Sequence, residues 1–267
     1  MANAAATRIA DLKPGDGYVQ SFARGLEVIR SFSASAPRQT LTEVAERSRL
    51  SRAGARRILL TLQALGYVRS DGKLFSLTPR ILDLGFAYLS SMPIWDLAEP
   101  VMQALVAEVK ESCSAAVLDG TDIVYVLRVP THKIMSISLG VGTRLPAYCT
   151  SMGRMLLSAL PEAEVMHCLA QSNRTARTKY TVTDLQELLA RITLVRKQGW
   201  CLVNQELEEG LVSMAAPITN RAGQIVAALN ISGQANRTSA KAMQDSMLAK
   251  LLAAAQTVSR MLTVQRP

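Results

Sequence analysis

The sequence contains few residues of the kinds that hold a structural metal ion. It has two histidines, His132 and His167, and its four cysteines are far apart in the chain: Cys113, Cys149, Cys168 and Cys201. Structural zinc sites use closely spaced cysteine pairs, so this distribution argues against such a site. Isolated cysteines in a chain without a secretion signal are typical of reduced, mostly buried thiols in a cytoplasm. The sequence therefore predicts no metal site.

The sequence also lacks long apolar segments. No run reaches the roughly 18 apolar residues expected of a membrane helix. Residues 1–17 have no apolar centre of the kind found in a secretory signal. We expect a cytoplasmic protein without membrane contact, in which residues 1–17 form a flexible tail.

Motifs for catalysis are missing as well. There is no GxSxG, no GxGxxG after a strand and no phosphate-binding loop motif. Neither histidine has a serine or cysteine partner of the kind that nucleophilic catalysis requires. The acidic cluster of Glu206, Glu208 and Glu209 is more typical of a loop cap than of a cation site. The sequence therefore predicts no catalytic residues, no cofactor and no enzymatic activity.

Positive charge is concentrated near the N-terminus. Residues 1–80 contain 13 lysines and arginines against 6 acidic residues, whereas residues 81–267 contain 17 against 15. Charge focused on one module is typical of proteins that bind polyanions. A solvated basic surface would explain the charge, but not its coincidence with the motif that follows.

Residues 41–68, LTEVAERSRLSRAGARRILLTLQALGYV, have the pattern of a helix-turn-helix. Thr40 and Glu43 form a potential capping box for a short helix ending near Arg47, and Ser51 is a potential N-cap for a second helix. In the second helix the apolar residues recur at spacings of three and four, which predicts a buried stripe. The members of this stripe are Ala55, Ile58, Leu59, Leu62 and Leu65.

The segments on either side complete a winged helix-turn-helix. Residues 18–32 have helical spacing and precede the motif. Asp71-Gly72 is a strong turn signal between two alternating strands, so residues 67–77 are predicted to form a hairpin, the wing. We assign residues 18–78 to this domain. Residues 79–95 are predicted to form a linker helix, which Pro93 interrupts.

Beyond residue 96 the pattern indicates an α+β domain. A helix at about residues 96–111 is followed by short apolar or β-branched strands, three helices and three more strands. Residues 239–262 are predicted to form a final amphipathic helix. Mixed strands and helices with hairpin turns favour an antiparallel sheet flanked by helices.

The predicted second helix presents arginines for contact with double-stranded DNA. The major groove admits one helix, and arginine can form paired hydrogen bonds with guanine or contact phosphate. Base readout is assigned to Arg52 or Arg56, whereas Arg57 is expected to contact the backbone. Arg24 is equally compatible with a phosphate contact and with a plain surface charge. The full set of predicted DNA-binding residues is Arg24, Thr42, Ser51, Arg52, Ala53, Gly54, Arg56, Arg57, Arg69 and Lys73.

Arg128 is the residue that most strongly indicates an anionic ligand. It ends the otherwise apolar strand IVYVL, and a partly buried guanidinium requires an anionic partner. A ligand carboxylate can supply that partner through two parallel hydrogen bonds. An internal ion pair with Asp122, Glu206 or Glu208 is the alternative. Further candidates, for contact with hydroxyl groups of such a ligand, are Tyr148, Ser151, Asn230 and Ser232.

The chain resembles the IclR family of bacterial transcription regulators over residues 18–262. The segments that carry the resemblance are YVQSFARGLEVIRSF, the helix-turn-helix, RLPAYCTSMGRMLL, QELEEGLVSMAAPI and ALNISG. The opening, the SRAGARR helix and YVLRVPTHKIMSISLGVGTRLPAYCTSMGRMLL resemble the branch that controls protocatechuate, 4-hydroxybenzoate and β-ketoadipate catabolism. The resemblance implies a homodimer or tetramer and a GAF-like domain over residues 96–267 for effector binding and oligomerisation.

The resemblance also implies where an effector would bind. The pocket positions of the family correspond here to Ile134, Ile137, Ser151, Met152, Val203, Leu211, Ser213, Asn230 and Ser232. Three of these depart from the family pattern. Val203 stands where an acidic residue can occur, Ser213 where a cysteine can occur, and Asn230 replaces a serine. A ligand other than glyoxylate or pyruvate is therefore expected.

The sequence thus predicts a cytoplasmic regulator that binds a near-palindromic DNA operator and a small organic acid. The acid would favour one arrangement of the linker helices and so set the spacing of the DNA modules. Two alternatives remain open. One is an IclR-type repressor of an unrelated sugar-acid or small-acid pathway, and the other is a ligand-blind DNA-binding architectural protein.

Overall fold

The computed structural model describes residues 17–90, 94–131 and 139–264. The chain forms two compact units, Met1–Ser90 and Ser91–Pro267. The predicted pocket residues Ile134 and Ile137, together with His132, lie outside the described residues.

The N-terminal unit is a small helical domain with a three-stranded sheet. Its elements are α1 (Gln20–Arg30), β1 (Gln39–Thr40), α2 (Leu41–Arg47), α3 (Arg52–Ala64), β2 (Val68–Ser70), β3 (Leu74–Leu77), a 3₁₀ turn (Pro79–Ile81) and α4 (Leu82–Ser90). The strands are antiparallel in the order β1-β3-β2. The core consists of Val28, Val44, Ala45, Ala55, Leu59, Leu62 and Val68. This arrangement is a winged helix-turn-helix in which α3 is the second helix of the motif.

Local capping explains where α2 and α3 begin. The Thr40 side chain accepts a hydrogen bond from the Glu43 backbone N–H, and the Glu43 carboxylate accepts one from the Thr40 N–H, which completes the predicted capping box. Ser51 Oγ accepts a hydrogen bond from the Gly54 N–H at 3.1 Å at the start of α3. After α3, Gly66 has a φ of +81°, a conformation that glycine adopts without steric cost. Residues within three positions of each helix end therefore determine these boundaries.

One member of the predicted buried stripe is misassigned. Ala55, Leu59 and Leu62 are buried, but the Leu65 side chain is 52% exposed. Leu65 follows α3 as its C-cap residue and lies on the side that faces α1, where it lines an open groove rather than the core.

The C-terminal unit is built around one antiparallel sheet. Its elements are α5 (Ile94–Val109), β4 (Ser112–Asp119), β5 (Asp122–Val129), β6 (Arg144–Pro146), a 3₁₀ turn (Ala147–Cys149), α6 (Ser151–Leu157), α7 (Glu162–Gln171), α8 (Leu185–Gln198), β7 (Cys201–Asn204), β8 (Leu211–Thr219), β9 (Ile225–Gln234) and α9 (Ala240–Val264). The strand order is β6-β5-β4-β9-β8-β7. Helices therefore flank an antiparallel sheet, as the sequence pattern predicts.

The two faces of this sheet are covered by different helices. Side chains alternate between the faces along each strand, and directly paired residues share a face. Ala116 and Ala228 are paired and belong to a core cluster with Met152 and Met155 of α6. We call this side of the sheet the α6 face. The alternate residues of β4 and β9, such as Ala115 and Leu229, are buried on the other face, against which α5 and α9 pack.

A β-bulge in β5 changes which side chains lie on the α6 face. Ala115 pairs with Leu127, but Ala116 pairs with Tyr125, so Val126 is an extra residue in β5. A bulge of this kind re-aims the side chains that follow it. Tyr125 and Arg128, although three residues apart, therefore share the α6 face, whereas strict alternation would place them on opposite faces.

The remaining differences from the sequence prediction concern short elements. The strands β1 and β6 have two and three residues and were not predicted. The predicted linker begins with a 3₁₀ turn before α4, and α5 begins at Ile94. Among the described residues, no helix is long and apolar enough to span a membrane. The same residues include no cluster of three or more potential metal ligands.

Candidate DNA-binding surface and effector site

The exposed side of α3 carries two arginines one helical turn apart. Arg52 and Arg56 are exposed, as is Ala53 between them. Within residues 17–90, neither arginine forms an ion pair or a side-chain hydrogen bond. Gly54 lies between them against the N-cap residue of α3, since a Cβ at Gly54 would lie 3.2 Å from the Ser51 Oγ. Both guanidinium groups are therefore available to a polyanion.

Arg57 lies on a different side of α3 from Arg52 and Arg56. It lines a groove of about 990 Å³ between α1 and α3, which Arg24 also lines. The apolar part of this groove includes the exposed side chains of Phe22, Leu26 and Leu65. Arg24 and Arg57 thus line the same groove, whose lining does not include Arg52 or Arg56.

The wing and the first turn of α2 carry the other predicted contacts. Arg69 Nε donates a hydrogen bond to Ser76 Oγ at 3.2 Å, across the β2–β3 pair. Lys73 is exposed at the hairpin tip, directly after Gly72. Asp71 accepts backbone hydrogen bonds from Leu74 and Lys73, which lower the pKa of its carboxyl group and stabilise the turn. Thr42 is exposed in the first turn of α2.

Polar side chains occupy two neighbouring rows of the α6 face in the C-terminal unit. In the first row Arg128 of β5 pairs with Ser114 of β4, which pairs with Asn230 of β9. The adjoining row contains Ser112 of β4, Ser232 of β9, Ser213 of β8 and Val203 of β7, each paired with the next. The row on the other side of Ser114 is apolar and pairs Ala116 with Ala228. We call these two rows the polar patch.

The N-terminal end of α6 contributes two more of the predicted pocket residues. Ser151 and Met152 are buried at the start of this helix, whose residues contact β4, β8 and β9. The Ser151 Oγ has no hydrogen-bond partner among the described residues. Leu211 is paired with Gln234 at the edge of the polar patch. Of the predicted effector residues, the structure therefore places Arg128, Ser151, Met152, Val203, Leu211, Ser213, Asn230 and Ser232 on one sheet face or the helix that covers it.

Electrostatic effects agree with the position of Arg128 beside Tyr125. Burial raises the pKa of Tyr125 to about 12, and the positive charge of Arg128 acts on the same group in the opposite direction.

Two of the three internal acids considered as partners for Arg128 interact with other arginines. Asp122 accepts from Arg144 at 3.3 Å, and Glu206 forms an ion pair with Arg154.

The side chain of Tyr148 is engaged with the protein. It is fully buried, and its hydroxyl donates a hydrogen bond to the carbonyl oxygen of Thr175 at 2.7 Å. Tyr148 therefore connects the 3₁₀ turn before α6 to the loop between α7 and α8.

Sequence reasoning missed the ion pair that holds this region together. Arg154 of α6 donates to Glu206 through Nη1 at 2.7 Å and Nη2 at 2.5 Å, and through Nε to the Tyr148 carbonyl oxygen at 2.8 Å. The side chains are 2% and 4% exposed. Glu206 also accepts from the Val182 N–H at 3.1 Å. The signal in the sequence is an arginine among the apolar residues of SMGRMLL, but its partner is 52 residues away.

Ser112 and Ser114 were also missed as members of the site. Both are buried in β4, and Ser112 Oγ accepts a hydrogen bond from the Thr131 N–H at 3.2 Å. The available signal is the polar–apolar alternation of SCSAA, which places two serines on the same face.

Both units match models of known families. Residues 21–72 match the IclR helix-turn-helix domain, and residues 86–260 match the IclR C-terminal domain of bacterial transcriptional regulators. The chain is 42% identical over 258 residues to the Pca regulon regulatory protein of Pseudomonas putida, covering 96% of this chain and 89% of that one. It is 35% identical over 238 residues to the p-hydroxybenzoate hydroxylase transcriptional activator of Acinetobacter baylyi, covering 87% and 88%.

Solved structures of similar proteins share the fold. A transcriptional regulator from Rhodococcus has 48% sequence identity and a TM-score of 0.82, covering 92% of this chain and 98% of that chain. An IclR homologue from Microbacterium hydrocarbonoxydans, solved with 4-hydroxybenzoate, has 24% identity and a TM-score of 0.79, covering 91% and 99%. The chain therefore belongs to the IclR family: it is a DNA-binding transcription regulator and not an enzyme.

Proposed function

We propose that this regulator controls genes for the catabolism of aromatic acids and that its effector is a small aromatic or related carboxylate. The observation that carries the proposal is the polar patch, where the bulge at Val126 turns Arg128 onto the α6 face opposite Ser114. A partly buried guanidinium binds a carboxylate through paired, charge-assisted hydrogen bonds. The relatives named for the Pca regulon and for p-hydroxybenzoate hydroxylase support this class of ligand.

The remaining predicted effector residues would surround that carboxylate. Ser151 and Asn230 offer polar groups, while Met152, Val203 and Leu211 offer apolar surface for a ring. Ser213 and Ser232 are directly paired, so they form one polar edge of the site. Tyr148 would contribute to the effector site through its backbone and ring and not through its hydroxyl, because the hydroxyl already donates to the Thr175 carbonyl oxygen. Ile134 and Ile137 remain proposed members on the basis of the resemblance alone.

The effector proposal is tested by titrating the purified protein with protocatechuate, 4-hydroxybenzoate, β-ketoadipate and a set of sugar acids. A ligand that binds only the folded protein raises its melting temperature. Arg128→Ala is expected to abolish the response to the acid that binds. Arg144→Ala is the matched control, because Arg144 is exposed and ion-paired with Asp119 at 2.7 Å, away from the polar patch. Binding of sugar acids alone would favour the repressor of an unrelated pathway, and no binding at all would favour a ligand-blind architectural protein.

At the operator, Arg52 and Arg56 would read bases and Arg57 and Arg24 would contact phosphates. The remaining proposed contacts are Thr42, Ser51, Ala53 and Gly54 near the start of α2 and α3, and Arg69 and Lys73 on the wing. If Arg56 reads a base, Arg56→Ala weakens operator binding by about 1–3 kcal/mol and relaxes specificity at one position. If Arg57 contacts phosphate, Arg57→Ala weakens binding to all sequences. It also makes the slope of the logarithm of the binding constant against the logarithm of the salt concentration shallower by roughly one. Equal effects of both substitutions on non-operator DNA would contradict this division of roles.

The protein is further proposed to act as a homodimer or tetramer in the bacterial cytoplasm, where its operator DNA is located. Support comes from the N-terminal unit, in which several large apolar side chains are exposed: Phe22, Leu26, Leu65, Leu82, Leu84, Phe86 and Tyr88. Extended exposed apolar surface marks sites of association. Sedimentation equilibrium measures the oligomeric state, and a monomer at micromolar concentration would refute the proposal.

A further inference from the structure

Ser114 lies at the centre of the polar patch. It is completely buried and is directly paired with Arg128 on one side and with Asn230 on the other. Directly paired side chains on one face of a sheet have Cβ atoms about 5 Å apart. The side chain of Ser114 therefore lies between those of Arg128 and Asn230 on the α6 face.

The hydroxyl of Ser114 has no hydrogen-bond partner in the part of the chain that the structure describes. Among residues 94–131 and 139–264, no group forms a hydrogen bond with Ser114 Oγ. Most buried side-chain polar atoms have a partner, because leaving one without a partner costs stability. Alanine, which the next two positions of β4 carry, would avoid that cost. A hydroxyl at this position is therefore better explained by contact with a ligand than by stabilisation of the sheet.

The amide of Asn230 indicates which kind of ligand atom would be bound. Its Oδ1 accepts a hydrogen bond from the Ser114 N–H at 3.0 Å. Because the amide oxygen is directed at the backbone of β4, the NH₂ group is directed away from it. The three neighbouring groups therefore offer hydrogen-bond donors: the guanidinium of Arg128, the NH₂ of Asn230 and the hydroxyl of Ser114. A cluster of donors is suited to a carboxylate, which only accepts.

We infer that Ser114 is an effector-binding residue whose hydroxyl donates to the ligand carboxylate beside Arg128 and Asn230. The inference rests on the proposed function, since it assigns a further contact in the same site. It predicts different effects of one substitution on the stability of the protein and on effector binding. Ser114→Ala removes a buried hydroxyl that has no hydrogen-bond partner among the described residues, so it leaves the melting temperature of the ligand-free protein unchanged or raises it. The same substitution weakens effector binding.

The experiment combines calorimetric titration with thermal melting of the full-length protein. The probes are 4-hydroxybenzoate, protocatechuate and the uncharged analogue 4-hydroxybenzamide. Hydrogen bonds to charged groups are stronger than neutral ones, so Ser114→Ala is expected to weaken binding of the acid that binds wild type roughly tenfold or more. Its effect on the amide is expected to be smaller. Ser158→Ala is the control, because its buried hydroxyl donates to the Met155 carbonyl oxygen at 2.7 Å near the other end of α6. That control is expected to lower the melting temperature and leave affinity unchanged.

The possible outcomes separate this inference from the proposed function. If wild type binds an acid and Arg128→Ala weakens binding but Ser114→Ala does not, the role of Ser114 is overturned and the proposed function stands. A drop in the ligand-free melting temperature of Ser114→Ala as large as that of Ser158→Ala would assign the hydroxyl a structural role. If wild type binds none of the acids, both the proposed function and this inference fail.

Discussion

Replacing Glu206 by glutamine is expected to destabilise the C-terminal unit more than replacing its partner Arg154 by methionine. Both side chains are buried, and they are joined by two parallel hydrogen bonds. Removing one partner of such a pair costs about 3–5 kcal/mol because an uncompensated charge remains buried. In Glu206→Gln the remaining charge belongs to arginine, which cannot lose its proton in a protein.

The opposite substitution leaves a carboxylate that has other partners. Arg191 Nη1 lies 3.4 Å from Glu206 Oε1, and the Val182 N–H donates to Oε2 at 3.1 Å. The main loss in Arg154→Met is then the hydrogen bond to the Tyr148 carbonyl oxygen, which costs about 1–3 kcal/mol when the acceptor stays buried. The double variant Arg154→Met with Glu206→Leu is expected to lose less free energy of unfolding than the sum of the losses in Arg154→Met alone and Glu206→Leu alone.

Urea unfolding followed by tryptophan fluorescence measures these differences. The two tryptophans, Trp95 and Trp200, both lie in the C-terminal unit, so the signal reports on that unit alone. Lys241→Ala is the surface control, because its ion pair with Asp245 is exposed and such pairs contribute about 0–1 kcal/mol. A loss in Arg154→Met equal to or larger than that in Glu206→Gln would refute the reasoning, since it would mean that Arg191 and Val182 do not compensate the carboxylate.

Three further predictions concern helix packing, capping and thiol chemistry. Gly153→Ala would place a Cβ in overlap with the backbone of Ala147, so we expect loss of soluble folded protein, and a stable variant would contradict the backbone geometry of α6. Thr40→Ala removes the capping box of α2 and is expected to cost the N-terminal unit about 1 kcal/mol in melts followed by circular dichroism, with Thr42→Ala as a control outside the cap. Burial raises the pKa of Cys149 to about 11 and of Cys201 to about 12, and also raises the pKa of Cys113 and Cys168. All four thiols therefore stay protonated at pH 8, and a thiol reagent should react slowly with native protein and quickly in urea; a fast-reacting native thiol would show that one is accessible.

Local structure was the part of this protein that its sequence could predict best. The capping box at Thr40, the N-cap at Ser51 and the turn at Asp71-Gly72 all formed as predicted, because each depends on residues within three positions of one another. The antiparallel α+β domain followed from the spacing of apolar residues in the same way. The family resemblance was also carried by continuous segments, and the comparisons confirm it.

The candidate effector site was predicted only in part, since its residues come from five strands and one helix. The resemblance named positions on β7, β8, β9 and α6, but it did not name Ser112 or Ser114 on β4. Helical spacing predicts that Leu65 belongs to the core, but Leu65 lines a groove. Spacing predicts which face of the helix a side chain lies on, and not whether another part of the protein covers that face.

By itself, the sequence determined the order of the two units and the helix-turn-helix with arginines on its second helix. It also determined that Arg128 ends an apolar strand. Only the tertiary structure decided which face that arginine occupies, because the bulge at Val126 exists only in the pairing between β5 and β4. Likewise, only the fold joined Arg154 to Glu206 and separated Arg57 from Arg52 and Arg56. Local interactions specify helix ends and turns, whereas strand register and burial depend on residues that are distant in the chain.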